Sequence, residues 1–301
     1  MRVFRKLALG ASVLALALSA CSTGGGGATI KIGSDGFDEA RVVAEIYAQA
    51  LEAKGFTVNR DGIGLGTRAV TAAALEKGDI NLKPEYLGGG LAYYKGTPGQ
   101  SSADNAAGLQ DKLAAIGGGI TVLDYTPAQD TNAFVVRKET ADQYHLVKMS
   151  DTAAVQDQLK WALATDCPTN PVCAAALKSA YGIDQPDATL LGPCSGPMAD
   201  ALLNKTVDVA ELCSTGPEII TNGWVVLEDD KQTQPAENIA PIVRNDLVKS
   251  LDAAKFNATL NEVSAKIDTK TLAQLYYDVA VGHKDLKVVA TAWLKAVGIV
   301  T

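Results

Sequence analysis

From residue 28 onward the chain alternates short β-like runs with helical ones, and this constrains the fold more than any other feature. Strands separated by helices pair as a mostly parallel sheet with helices covering its faces. The run TIKIGS (29–34) reads as a strand, 39–54 as a helix, and FTVNRDGI (56–63) as the next strand. On that first helix Val42, Val43, Ile46, Tyr47, Ala50 and Leu51 share one face, and Gly55 supplies the stop. Thr67 is a plausible N-cap for a helix over 68–77, followed by a strand over 79–86, a helix over 104–116 and a strand over 120–125. A second series has strands at 132–138, 161–164, 188–192 and 207–214, with helices at 151–159, 172–181, 197–204 and a helix start at 217–222, and WVVLEDD (224–230) follows it. Past Asp246 the pattern is almost wholly helical, with amphipathic runs near 251–267, 272–281 and 286–297.

This order predicts an α/β protein of two lobes. Residues 29–130 and 225–301 are expected to form lobe I, with 131–224 inserted as lobe II. The chain then crosses between lobes twice, which is a natural hinge.

The first 28 residues follow a different logic. Arg2, Arg5 and Lys6 precede a twelve-residue apolar stretch, Leu7 to Leu18, and Leu18-Ser19-Ala20-Cys21 closes it with small residues. The stretch is short of the roughly 20 residues that span a bilayer, and glycines follow it, so it reads as an export signal. LSAC resembles the lipobox of bacterial lipoproteins. That resemblance implies removal of residues 1–20, a lipid on Cys21, and a location on the outer face of the cell membrane, with 21–28 a tether reaching some 15 Å. The alternative is an ordinary secretory signal with an accidental cysteine. Removing 1–20 takes three positive charges and no negative ones from a formal −7, leaving −10. So acidic a body disfavours nucleic acid and anionic headgroups as partners.

Four cysteines remain, and four allow three pairings. We expect Cys167 with Cys173, around a loop containing Pro168 and Pro171, and Cys194 with Cys213, joining the ends of neighbouring segments. Zinc is the competing idea. The spacings of six, twenty-one and nineteen contain no CxxC pair and no histidine lies near, so neither a metal nor a cofactor is expected.

Three stretches, GSDGFDEARVVAEIYAQALEAKGFTVNR, GLGTRAVTAAALEKGDINLKPEYLGGGLAYY and GWVVLEDDKQTQPAENIAPIVRNDL, resemble the substrate-binding proteins of ABC importers for osmoprotectants, the glycine betaine, choline and carnitine type. The likeness spans nearly all of the chain beyond the signal and implies a type II periplasmic-binding-protein fold. It also implies delivery of a small solute to permease subunits served by a cytoplasmic ATPase. Such proteins hold a quaternary ammonium against aromatic faces, because a methylated cation has no hydrogen bond to donate. The PEY motif keeps Tyr86, whereas the three other places where a cage ring is looked for read Asn132, Ala199 and Cys213. Tyr93 and Tyr94 are replacements of which at most one can face a cleft. The pocket is therefore expected to have shifted toward polar recognition by Asp130, Asn132, Ser195, Ser214 and Thr215, with a betaine still possible between Asp130 and Tyr86.

Further candidates sit at strand ends. Ser34 and Asp35 lie between the first strand and its helix, where doubly wound folds present ligand contacts. Gly64-Leu65-Gly66-Thr67 precedes the second helix, and its N–H groups suit an anion, although it lacks the lysine-serine ending of a phosphate loop. Each of these residues has helix capping as its competing role. Gly88 to Gly90 either make a turn or let a ligand approach the backbone. Trp161 and Trp293 are expected in cores, and Trp224 beside the hinge.

Only His145 and His283 are available for acid–base work, and neither accompanies a nucleophile motif, so an enzyme is not expected. A sensing domain or adhesin of the same fold is the competing function. The preferred reading is a monomer that closes two lobes on a small polar or zwitterionic solute and presents it to a permease.

Overall fold

The computed structural model describes residues 28–170 and 172–301. The expected signal, Cys21 and the tether up to residue 27 lie outside the described residues.

Two five-stranded mixed sheets organise the chain. The first receives β1 (Ile30–Asp35), β2 (Val58–Gly66), β3 (Leu82–Tyr86), β4 (Ile120–Val122) and, from much later in the sequence, β10 (Ile239–Arg244). Their order is β2-β1-β3-β10-β4, with β1 parallel to β2 and β3, and β10 antiparallel to β3 and β4. Helices α1 (Asp38–Ala53), α2 (Arg68–Lys77), α3 (Leu87–Tyr93) and α4 (Ser102–Ala114) connect these strands. The second sheet runs β7-β6-β8-β5-β9, built from β5 (Asn132–Val136), β6 (Trp161–Ala164), β7 (Thr189–Leu191), β8 (Val209–Cys213) and β9 (Val225–Val226). Around it lie α5 (Lys138–Tyr144), α6 (Met149–Thr152), α7 (Ala174–Ala176), α8 (Gly196–Leu203) and α9 (Pro217–Asn222). The chain ends in α10 (Asn245–Val248), α11 (Ala253–Ser264), α12 (Thr269–Ala280) and α13 (Leu286–Ala296).

Helix α1 shows how the first lobe is assembled. Its apolar face meets β1 and β2, and α11, α12 and α13 close over the remainder, so Val42 through Ala48 are buried without a break. A helix packed on all sides needs apolar or small residues all round, and the Ala-rich sequence meets that need. The Tyr47 hydroxyl, buried with the rest, hydrogen-bonds Ser264 Oγ on α11 at 2.9 Å. The second lobe has its own cores on the two faces of its sheet, one around Phe134, Trp161 and Val209, the other around Val135, Met198 and Leu212.

The structure corrects several boundaries. Gly88 to Gly90 form no turn; they lie inside α3, which begins at the residue after β3 ends. Glycines weaken a helix, but a Cβ on Gly88 would come within 2.7 Å of Glu237 Oε1, and one on Gly89 within 2.7 Å of Arg68 Nη2. They are needed because two charged side chains cross the helix start. Residues 224–230 contribute only the two-residue β9 (Val225–Val226), which pairs with β5, so the second lobe runs past the expected boundary at 224, and the strand that returns to the first sheet is β10. Pro241 hides β10 from a sequence reading, since proline disfavours a central strand; here its register partner is Pro84 on β3. The expected helix over 151–159 divides into α6 and a 3-10 turn, and that over 172–181 into α7 and a π-turn.

The disulfides join Cys167 to Cys173 and Cys194 to Cys213. Trp161 is buried in the second lobe, Trp293 packs against the first core, and Trp224 against the second lobe's outer core. Two crossings connect the sheets and run against each other. Gln129 and Asn238 form an antiparallel bridge, Asp130 N–H donates to Glu237 O at 3.2 Å, and Asn238 Nδ2 donates to Thr126 O at 2.9 Å. The crossings are thus hydrogen-bonded to each other as one ribbon.

Candidate functional site

Where the two lobes meet, α1, β3, the first crossing, the β8–α9 turn and α12 converge. Glu39 lies in the first turn of α1, on the same side as Val42 and Val43, and is fully buried. Tyr86 ends β3, and its hydroxyl donates to Glu39 Oε1 at 2.6 Å. Glu39 Oε2 is buried with no hydrogen-bond partner. From the opposite side, Thr215 Oγ1 donates to Asp130 Oδ1 at 2.7 Å. The Phe37 ring, 42% exposed at the start of α1, stands 5.7 Å from the Tyr86 ring at a tilt of 40°. Tyr276 on α12 and Glu218 on α9 complete the surround, these two helices packing on each other across the seam.

The electrostatics follow from this crowding of acids. Burial, then the charge of Asp130, push the Glu39 carboxyl up from 4.5 to about 8, against the opposing influence of the nearby Thr215 hydroxyl and the hydrogen bond from Tyr86. A helix N-terminus favours an anion by up to about 2 kcal/mol, and here desolvation outweighs it. Asp130 is also raised, by burial first, with Thr215 opposing and Glu218 adding repulsion. Burial raises Glu218. The Tyr276 hydroxyl is pushed up to about 12 by burial and then by Glu39, Glu218, Asp38 and Asp130. Such a site is short of one positive charge.

Beneath it lies a second, satisfied layer. Lys83, fully buried on β3, donates to Asp35 Oδ1 at 3.1 Å, Glu85 Oε2 at 3.0 Å and Thr71 Oγ1 at 2.9 Å. Arg68 donates to Glu85 Oε1 at 3.0 Å. Glu237 Oε2 accepts N–H bonds from Gly88 and Gly89 at 3.1 and 3.0 Å, yet burial still holds its carboxyl up at about 7.

Of the residues expected to bind ligand, the fold brings Tyr86, Asp130 and Thr215 together around Glu39. The others have different surroundings. Ser34 is fully buried, donating to Asp35 O and accepting from Gly64 N–H at 2.9 Å, and so fastens β1 to β2. Asp35 belongs to the Lys83 layer. Thr67 is exposed at the N-cap of α2 and makes no side-chain cap bond. Asn132 opens β5 opposite Cys213, half-buried. Ser195 Oγ donates to Gly192 O at 2.6 Å beside Cys194. Ser214 Oγ accepts from Thr131 N–H at 3.0 Å and donates to Gln129 O at 3.2 Å, tying β8 to the first crossing. Tyr93 and Tyr94 stack edge-to-face at the far end of α3.

Sequence reasoning missed Phe37, Glu39, Glu218 and Tyr276. Glu39 did leave a signal, because it precedes Val42 by three and Val43 by four and so falls on the apolar face. A charge there is a buried charge.

Other concavities carry less. A groove of about 560 Å³ between α12 and α13, lined by Asp268, Leu275, Val288 and Trp293, lies on one lobe alone and has no second face to shut on it. Cys167, Cys173 and buried Glu211 bring ligand-type atoms within 4.8 Å of one another. Metal binding there needs thiolates, and the disulfide commits both sulfurs. Among the described residues no helix is long and apolar enough to cross a membrane.

Comparison with known proteins agrees with this geometry. The chain is 28% identical over 280 residues to the glycine betaine-binding protein YehZ of Escherichia coli K12, covering 89% of this chain and 90% of the relative. It is 27% identical over 296 residues to the carnitine transport binding protein OpuCC of Listeria monocytogenes, covering 93% and 92%. A crystal structure described as a glycine betaine/carnitine/choline ABC transporter superposes with a TM-score of 0.79 at 26% identity, over 90% of this chain and 99% of that one. The two mixed sheets joined by a paired crossing agree with that superposition. Residues 28–296 match the substrate binding domain of the ABC-type glycine betaine transport system, and the chain belongs to that family of extracytoplasmic solute-binding proteins of ABC importers.

Proposed function

We propose that the chain captures a small solute carrying an ammonium group, quaternary ammonium included, at the seam of Glu39, Tyr86, Asp130, Thr215 and Tyr276. One observation carries this: a fully buried carboxylate oxygen, Glu39 Oε2, has no partner at the point where both lobes meet. A bound cation satisfies it and the Asp130 charge together. Phe37, Tyr86 and Tyr276 supply the aromatic faces that a methylated ammonium requires. The glycine betaine-binding and carnitine transport binding relatives support the same class.

In this reading 29–130 with the chain from about 231 to 301 form one jaw and 131–230 the other, since Val225–Val226 pair with β5 and Leu227 joins the second lobe's core. Ligand favours closure through contacts it makes only when both jaws touch it. Cys21 carries the lipid anchor, and a monomer delivers the solute to its permease. Mass spectrometry of the membrane-extracted protein tests the anchor through a diacylglyceryl mass on the Cys21 peptide.

A thermal-shift screen of choline, glycine betaine and carnitine against amino acids, polyols and sugars tests the solute class. At 100 times its dissociation constant a ligand stabilises the fold by about 2.7 kcal/mol, a clear upward shift. The reading fails if sugars or polyols register and no ammonium compound does.

A further inference from the structure

Charged groups sit on each of the elements that surround the Glu39 seam, and of these Asp130 acts on Glu39 directly. They are Asp38 and Arg41 on α1, Asp35 on β1, Arg68 on α2, Lys83 and Glu85 on β3, Asp130 and Glu237 on the crossings, and Glu218 on α9. Tyr86 and Tyr276 add hydroxyls whose protons are held tightly. All three cations are already engaged: Arg41 with Asp38 at 2.6 Å, Lys83 with Asp35 and Glu85, and Arg68 with Glu85. Among the described residues Glu39, Asp130 and Glu218 have no ion-pair partner. A solute's ammonium finds several acids here. A solute's carboxylate finds no uncommitted cation, and instead meets the repulsion of Asp130, Glu218 and Glu237.

Resting on the ammonium-solute reading above, we propose that Glu39, with Asp130, is the specificity-determining pair of this site. It selects solutes that are net cations over zwitterions of the same headgroup, and the bound cation displaces the proton that Glu39 carries in the empty protein. The step balances as one cation in and one proton out to solvent, leaving an ammonium–carboxylate pair with no change in the charge of the site. Tyr86 already donates to Oε1, so the proton and then the cation belong to Oε2. Burial beside Asp130 holds that proton to about pH 8. A permanent cation therefore competes with it throughout the neutral range.

Isothermal titration with choline and with glycine betaine tests the pair, in two buffers of different ionisation enthalpy at pH 7.5 and again from pH 6 to 8.5. Choline is expected to bind at least tenfold tighter than glycine betaine. Its binding should release close to one proton, and its affinity should fall up to tenfold per pH unit on acidification. Glu39→Gln keeps the Tyr86 hydrogen bond; it should abolish the proton release and bring the choline-to-betaine ratio toward one. Asp130→Asn, at a less buried position, should lower the same ratio and serves if the first variant folds poorly. Equal affinities in the native protein, an unchanged ratio in both variants, or choline binding without proton release overturns the specificity role while the solute class stands. If neither compound binds, the solute class itself falls and this inference with it.

Discussion

Lys83 is the residue on which the pocket floor depends. Its ammonium is wholly enclosed by Asp35, Glu85 and Thr71, so removing it leaves the buried Asp35 carboxylate without an ion-pair partner and Glu85 with Arg68 alone. Breaking a buried ion pair from one side costs about 3–5 kcal/mol. Lys83→Met should therefore lower the urea midpoint by that equivalent, while an exposed pair such as Lys138 with Asp142 should cost under about 1 kcal/mol. Equal losses from the two changes would refute the buried network. Tyr86 separates two other contributions. Tyr86→Phe keeps the ring and removes the donor to Glu39, whereas Tyr86→Ala removes both. A cation–π contact of roughly 0.5–2 kcal/mol predicts a 2- to 30-fold weakening of choline binding by the alanine change beyond that of phenylalanine, read by titration calorimetry. Tyr86 was legible as a strand-end aromatic in the PEY motif. Tyr276 was not, because nothing local in a C-terminal amphipathic helix tells which of its residues reaches a cleft made by distant parts of the chain.

Among the elements, the connection between β8 and α8 decides how rigid the second jaw is. The Cys194–Cys213 bond ties the residue before Ser195 to the end of β8, one residue before Ser214 and two before Thr215. In the chain-entropy model a loop of about this length contributes roughly 3 kcal/mol. Replacing both cysteines with serine should lower the melting temperature by roughly 6–12 °C. If Thr215 depends on that brace, choline affinity falls as well, and an unaltered affinity would separate the brace from the site. Short elements with strong flanking punctuation, such as α2 before Gly78, β6, and α9 after Pro217, were readable from sequence to the residue. Strand β10 was not, because a proline inside a run that closes the sheet between β3 and β4 is permitted only by that pairing. Likewise the three glycines of α3 look like a turn until Glu237 and Arg68 are seen crossing above them.

For the whole molecule, the consequence is a stability that runs against pH. Glu39 is raised from 4.5 to about 8 and Glu237 to about 7, and Asp130, Glu218 and Glu211 are raised as well. A carboxyl whose pKa is higher in the folded state binds more protons there than when unfolded. Stability therefore falls as pH rises between the two values. The lowered groups, Glu139, Asp230, Asp246 and Asp268, have the opposite sign, but their contribution is lost only below the ordinary carboxylate range, outside this window. The ligand-free protein should accordingly melt at progressively lower temperature from about pH 5.5 to pH 8.5. Saturating choline should flatten that slope, because the ammonium takes over the role of the proton at Glu39. Calorimetric melting across this range, with and without choline, checks both parts. The same scan on Glu39→Gln assigns them, since a neutral amide cannot titrate and the variant should be the more stable protein at pH 8.5. An unliganded melting temperature that stays level or climbs across the window would mean that the acids at the seam are not held protonated by their burial.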